Sequence, residues 1–155
     1  MFGYVGDDGR LMEEVNSVSK TTYAIIPGIL GVSVDKDKSV IAGAAYDCDW
    51  TEVQGGQVKV VSVQDGSVPD GVAVHYFNDS FPSRDQPVIS ADGLWLAANV
   101  PAGEWEIQLW GLQNGVEVHI GSTILSTVSD SINIANIYSG YGTGVRLPSS
   151  CLASE

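Results

Sequence analysis

The chain has 155 residues, with 7 Lys+Arg against 19 Asp+Glu and a formal net charge of −12. So negative a chain, with no basic run or aromatic-and-basic stripe to offset it, is a poor partner for phosphate backbones and anionic membranes. With 44% hydrophobic and 17% charged residues, it has the apolar material for one folded domain and does not read as disordered.

In chain order, residues 1–20 are polar and rich in Gly, Asp and Glu, and read as an irregular arm. Their start lacks a basic region followed by an apolar one, so it does not read as a signal peptide. The chain is then either cytosolic or a mature product whose export signal has been removed. Thr21–Val34 is β-branched and apolar, and Pro27-Gly28 predicts two short strands about a turn. Within it Tyr23–Val34 is the longest candidate for a membrane span, but Pro27, Gly28 and Gly31 interrupt it and it falls short of the roughly 18 residues one needs. After Asp35-Lys36-Asp37-Lys38, strands are predicted at Ser39–Asp47, Gln57–Val63, Val72–Phe77, Val88–Ser90, Leu94–Val100, Glu104–Leu112, Val116–Val128 and Ser131–Tyr138. In Glu104–Leu112, Trp105, Ile107 and Leu109 fall on one face, with Glu104, Glu106, Gln108 and Trp110 on the other, the period of a half-buried strand. Asn114-Gly115 supplies a type I′ turn, after which Val116, Val118 and Ile120 resume the alternation. No three-turn amphipathic helix pattern occurs. The fold expected is an all-β sandwich of seven to eight strands, with residues 1–38 as an N-terminal arm, 39–138 as the sandwich and 139–155 as a Gly/Ser-rich, loosely attached tail.

Two segments carry a resemblance. Gly43-Ala44-Ala45-Tyr46-Asp47-Cys48, followed by Gln54-Gly55-Gly56-Gln57-Val58-Lys59-Val60, resembles the opening of carboxypeptidase regulatory-like domains. The run from Asp92-Gly93-Leu94-Trp95 through Val100-Pro101-Ala102-Gly103-Glu104-Trp105 is similar to the same family's D-G-x-F-x-x-x-x-[LV]-P-x-G-x-Y signature, with Trp95 and Trp105 in the aromatic places. Here Asp92-Gly93 turns the chain into a strand, Trp95 and Trp105 enter one core, and Pro101 and Gly103 make the corner between them. The resemblance implies a prealbumin-like (transthyretin-like) Greek-key sandwich, and a non-catalytic module of a secreted or surface-anchored bacterial protein.

Chemistry-bearing residues are few. Cys48 and Cys151 are too few and too far apart for a zinc cluster. They are either unrelated thiols or a disulfide pinning the tail to the sandwich, which a loop of about 100 residues would make worth roughly 4–5 kcal/mol in the chain-entropy model and which implies an oxidising compartment. His75 and His119 fall opposite their apolar neighbours and read as solvent-facing, with no nucleophile elbow near either. Hydroxyisourate hydrolases share the prealbumin fold, but their terminal Tyr-Arg-Gly-Ser is replaced by Tyr138-Ser139-Gly140-Tyr141. No enzyme, no cofactor and no metal is expected; the acidic pairs Asp35/Asp37 and Asp47/Asp49 read as solvated surface rather than a calcium loop. Lys59 with Asn133 or Asn136 has the composition of an isopeptide pair, although Lys59 reads as exposed, and Asn78-Asp79-Ser80 satisfies the glycosylation sequon.

Three uses remain. Residues Tyr23, Ile25, Ile26, Ile29 and Leu30 form a strand that either closes its own sheet or adds to a neighbour's edge, building a filament or oligomer. Trp110, with Gln108, is the outward aromatic suited to a sugar ring or a protein interface. The principal expectation is a non-catalytic, extracellular structural or adhesion module of a bacterial surface protein, meeting protein or glycan at the cell surface.

Overall fold

A computed structural model describes residues 28–142, and the fold is stated for those residues. It is nearly all β and forms two sheets. The nine strands are β1 (Lys38–Tyr46), β2 (Gln57–Ser62), β3 (Ala73–Asn78), β4 (Phe81–Ser83), β5 (Leu94–Pro101), β6 (Gly103–Gln113), β7 (Val116–Thr127), β8 (Ile132–Ile134) and β9 (Ile137–Tyr138). The larger sheet runs β4-β3-β5-β1-β8, with β9 also pairing β1, and the smaller runs β2-β6-β7. No described helix is long and apolar enough to cross a membrane.

Between the sheets lies a core built from alternate residues of each strand, including Ile41, Val58, Val60, Tyr76, Trp95, Ile107, Leu109 and Ile137. Trp95 is 1% exposed. Trp105 packs against the same core and its Nε1 donates to the Pro101 carbonyl at 2.8 Å, pinning the corner by which the chain passes from β5 to β6. Asp92 opens β5 as expected: its carboxylate accepts from Leu94 N, Ser80 N and Ser90 Oγ. The Asn114-Gly115 turn has both residues at positive φ, 52° and 77°, as a type I′ hairpin requires.

Three predicted elements are corrected. Val88–Ser90 is not a strand, although Ile89 is buried and exchanges backbone hydrogen bonds with Gly55 and Gly56. The fourth strand is instead Phe81–Ser83, reached from β3 through a tight turn in which Asp79 and Ser80 both adopt positive φ. Ser131–Tyr138 is two short strands, both parallel to β1, separated at Ala135-Asn136. At that break the Asn136 side chain stands in for the ladder, its Oδ1 accepting from Ala44 N at 3.1 Å. The Ala135 carbonyl meanwhile presses on Gly43, where any Cβ would overlap it.

The third correction concerns the apolar segment before β1. Residues 28–30 are helical, not extended, so Ile29 and Leu30 do not form the predicted strand. Gly31, at φ 66°, ends the turn, and the Arg84 guanidinium takes the Ile29 and Gly28 carbonyls at 2.7 and 3.2 Å, supplying the partners a helix C-terminus lacks. Leu30 is buried with Val40, Leu96 and Ala98 on the outer face of the larger sheet, and Val32 and Val34 pack beside it. Asn99 holds the segment's other end, donating to Ser33 O and accepting from Asp35 N, both at 3.0 Å. Burial of a leucine contributes about 1.5–3 kcal/mol, so this contact is a real part of the fold. Tyr23, Ile25 and Ile26 lie outside the described residues.

The first residues of the predicted tail are bonded into the sandwich. Ser139 N donates to Tyr46 O, Gly140 N to Ile120 O and Ser122 N to Tyr141 O, so residues 139–141 tie the larger sheet to the edge of β7. The remainder, from residue 143, lies outside the described residues.

Candidate functional site

Trp110 does point away from the core, and Gln108 lies beside it on the outer face of the smaller sheet. Trp110 Nε1 donates to Gln108 Oε1 at 3.0 Å, and Gln108 Nε2 donates to Glu106 Oε2 at 2.9 Å, a chain of bonds along alternate positions of β6. From β2 on one side, the Lys59 ammonium stands 4.0 Å from the centre of the Trp110 ring; from β7 on the other, His119 stacks on it at 5.2 Å and 17°. Lys59 also pairs with Glu117 at 3.1 Å. The indole is thus half-buried among its own neighbours, while Leu30, Val32 and Val34 cover the other sheet.

A second aromatic group stands at the end of β1. Asp47 begins a tight turn there: its Oδ1 accepts from Asp49 N at 2.8 Å and Thr51 N at 2.9 Å, and its carbonyl accepts from Trp50 N at 3.2 Å. The turn places Trp50 at φ 63° and 71% exposed. Its ring lies 5.0 Å from that of Tyr138, tilted by 60°. Tyr138 stacks on Tyr46 at 5.5 Å and meets the edge of Tyr141 at 6.1 Å. Tyr141 is 68% exposed.

Two open clefts flank the Tyr138–Tyr141 pair. One, of about 190 Å³, lies toward Asp47 and Trp50. The other, of about 380 Å³, runs toward Glu106, Ser122, Thr123 and Asn136. Nothing in the sequence pattern marks this site, because its residues sit in a turn and in a Gly/Ser-rich stretch, where alternation carries no signal. Two tyrosines within four residues of a polar segment, and a tryptophan between Asp49 and Thr51, were the available hints.

Other expected chemistry is placed as follows. Among the described residues no group of three or more His, Cys, Asp or Glu is arranged to hold a metal. Asp35 and Asp47 each use Oδ1 to accept backbone N–H groups of their own turns. Lys59 and Asn133 belong to different sheets and have separate partners, Glu117 for the first and Ser131 for the second. Contrary to the pattern, His75 is not solvent-facing: its Nε2 is buried with no hydrogen-bond partner, and burial pushes its pKa down. Its cross-strand partner is Leu96, so it lies on the face that the 28–34 segment covers. The described residues contain no free cysteine, and Cys151 lies outside them.

No family model matches the chain, and no curated protein matches it. Among solved structures the chain is similar to a DUF3823 family protein from Bacteroides uniformis, at 14% identity and a TM-score of 0.32, over 64% of this chain and 43% of that one. This chain therefore spans less than half the length of that protein.

Proposed function

We propose that this chain is a non-catalytic, extracellular module with a structural and adhesive role in a bacterial surface protein, and that its contact face is the aromatic end formed by Trp50, Tyr138 and Tyr141. The observation that carries the reading is Trp50, which is 71% exposed yet held in a hydrogen-bonded turn and braced against Tyr138. A large ring fixed in place but left in water loses little further entropy on binding, which is why such rings dominate contact surfaces. The two motifs resembling carboxypeptidase regulatory-like domains support a non-catalytic role, and a Cys48–Cys151 disulfide belongs to the same proposal because it requires an oxidising compartment. The strand-exchange reading is less favoured: Leu30, in the described part of that segment, is buried against its own sheet.

Sedimentation with intact bacterial cells tests the reading. The wild-type chain is expected to pellet with cells, and the Trp50→Asn/Tyr141→Ala double variant to stay in the supernatant. Equal partition of the two overturns it.

A further inference from the structure

The aromatic end has the chemistry of a carbohydrate site. We infer that the two clefts either side of Tyr138 and Tyr141 are adjoining subsites for an uncharged saccharide chain. This rests on the adhesive reading above and specifies its ligand.

Three observations point to a sugar. The first is the form of the surface: Trp50 and Tyr141 are both more than two-thirds exposed, and each sets its ring against that of Tyr138, at 5.0 and 6.1 Å. The C–H faces of a pyranose stack on such rings, while its hydroxyls need donors and acceptors at the margins. The second is that those margins exist. The larger cleft is lined by Glu106, Ser122, Thr123 and Asn136, all residues with polar side chains. Asn136 is anchored through Oδ1 on Ala44 N, which fixes its orientation, and its Nδ2 donates to no other described residue. The Trp50 indole N–H and the Tyr138 and Tyr141 hydroxyls likewise make no hydrogen bond within the described residues. The third is charge. Asp47 borders one cleft and Glu106 the other, in a chain of net charge −12, so uronic and sulfated sugars are repelled and an uncharged chain is selected.

The site also has the right scale. At about 380 Å³ the larger cleft falls in the range of small-molecule pockets, while the second, about 190 Å³, is too small to act alone. Sharing Tyr138 and Tyr141, they suit consecutive units of one chain. Trp110 is excluded as the platform because Lys59 and His119 occupy its surroundings.

Isothermal titration of the full chain with cellohexaose, chitohexaose and mannohexaose, and with hexagalacturonate as the acidic comparison, tests the inference. At least one uncharged hexasaccharide is expected to bind with a Kd at or below about 1 mM, the level of a weak single site, and hexagalacturonate is expected not to bind. Trp50→Asn removes the ring while keeping a residue type that tolerates the left-handed turn; it is expected to weaken binding at least tenfold. Tyr141→Ala, at an exposed position, is the second variant and is expected to weaken it severalfold. If no uncharged hexasaccharide binds, or binding survives both substitutions, the inference is overturned. Cell sedimentation that depends on Trp50 in the absence of saccharide binding would overturn the sugar assignment while leaving the adhesive reading in place, and would point to a protein ligand.

Discussion

The Tyr76 hydroxyl accepts the backbone N–H of Val58 at 2.9 Å, joining β3 of the larger sheet to the outer edge of β2 in the smaller. Both groups are buried, so the bond satisfies a main-chain donor that water cannot reach, and burial pushes the Tyr76 pKa up despite that bond. Tyr76→Phe keeps the ring and strands the donor. Urea denaturation is expected to show a loss of about 1–3 kcal/mol, the cost of an unsatisfied buried polar group. A variant as stable as the wild type would mean that water or a shift of β2 supplies the partner. Trp110 illustrates the limit of reading single residues. Alternation along β6 places it outward, and it is outward, but exposure depended on Lys59 from β2 and His119 from β7, residues 51 and 9 positions away that only strand pairing brings alongside.

Among elements, the β3–β4 hairpin stores backbone strain. Asp79 and Ser80 sit at φ 51° and 65°, a region that costs non-glycine residues roughly 1–2 kcal/mol each. Part of this is offset by Asp92, whose Oδ2 accepts from Ser80 N at 2.9 Å, a bond between two loops twelve residues apart. Ser80→Gly retains that N–H and relaxes the turn. It is expected to stabilise the chain by roughly 0.5–1 kcal/mol, seen as a rise in Tm of a few degrees by calorimetry. A fall in Tm would show that the Ser80 side chain contributes more than its backbone costs. The same turn explains a missed strand. Asp-Ser is a weak hairpin signal beside Asn-Gly, so the pattern predicts no strand at Phe81–Ser83, whereas Asn114-Gly115 marks its hairpin without ambiguity. In β5 the run Leu94-Trp95-Leu96-Ala97-Ala98 is apolar without alternation because both its faces are covered, one by the core and one by the Leu30 segment.

For the whole molecule, the balance of charge and burial sets a dependence on pH. The His75 Nε2 is buried without a partner, and desolvation lowers the pKa below the ordinary histidine value, so the unfolded chain binds this proton more readily. Its stabilising effect is complete above about pH 6.5 and is lost as pH falls from there through the folded-state value. Burial tends to raise the Asp92 pKa, but the bonds from Leu94 N, Ser80 N and Ser90 Oγ together lower it, so its contribution is lost only as pH falls below about 4. Denaturant midpoints are therefore expected to fall in two stages on acidification. His75→Gln should flatten the first stage and Asp92→Asn the second, and a midpoint constant from pH 7 to pH 5 in the wild type would refute the role given to His75.

Strand periodicity, the Asn114-Gly115 turn and the Asp92-Gly93 and Pro101-to-Gly103 signals were enough to determine a β-sandwich and most of its strand boundaries. These are local matters, decided by side-chain alternation and backbone preference within a few residues. Tertiary structure alone decided that Leu30 covers the outer face of the larger sheet, that residues 139–141 fasten to β7, and that Trp50, Tyr138 and Tyr141 meet at one end. Each depends on contacts between segments far apart in the chain, and no periodicity within a segment records which distant surface it will bury.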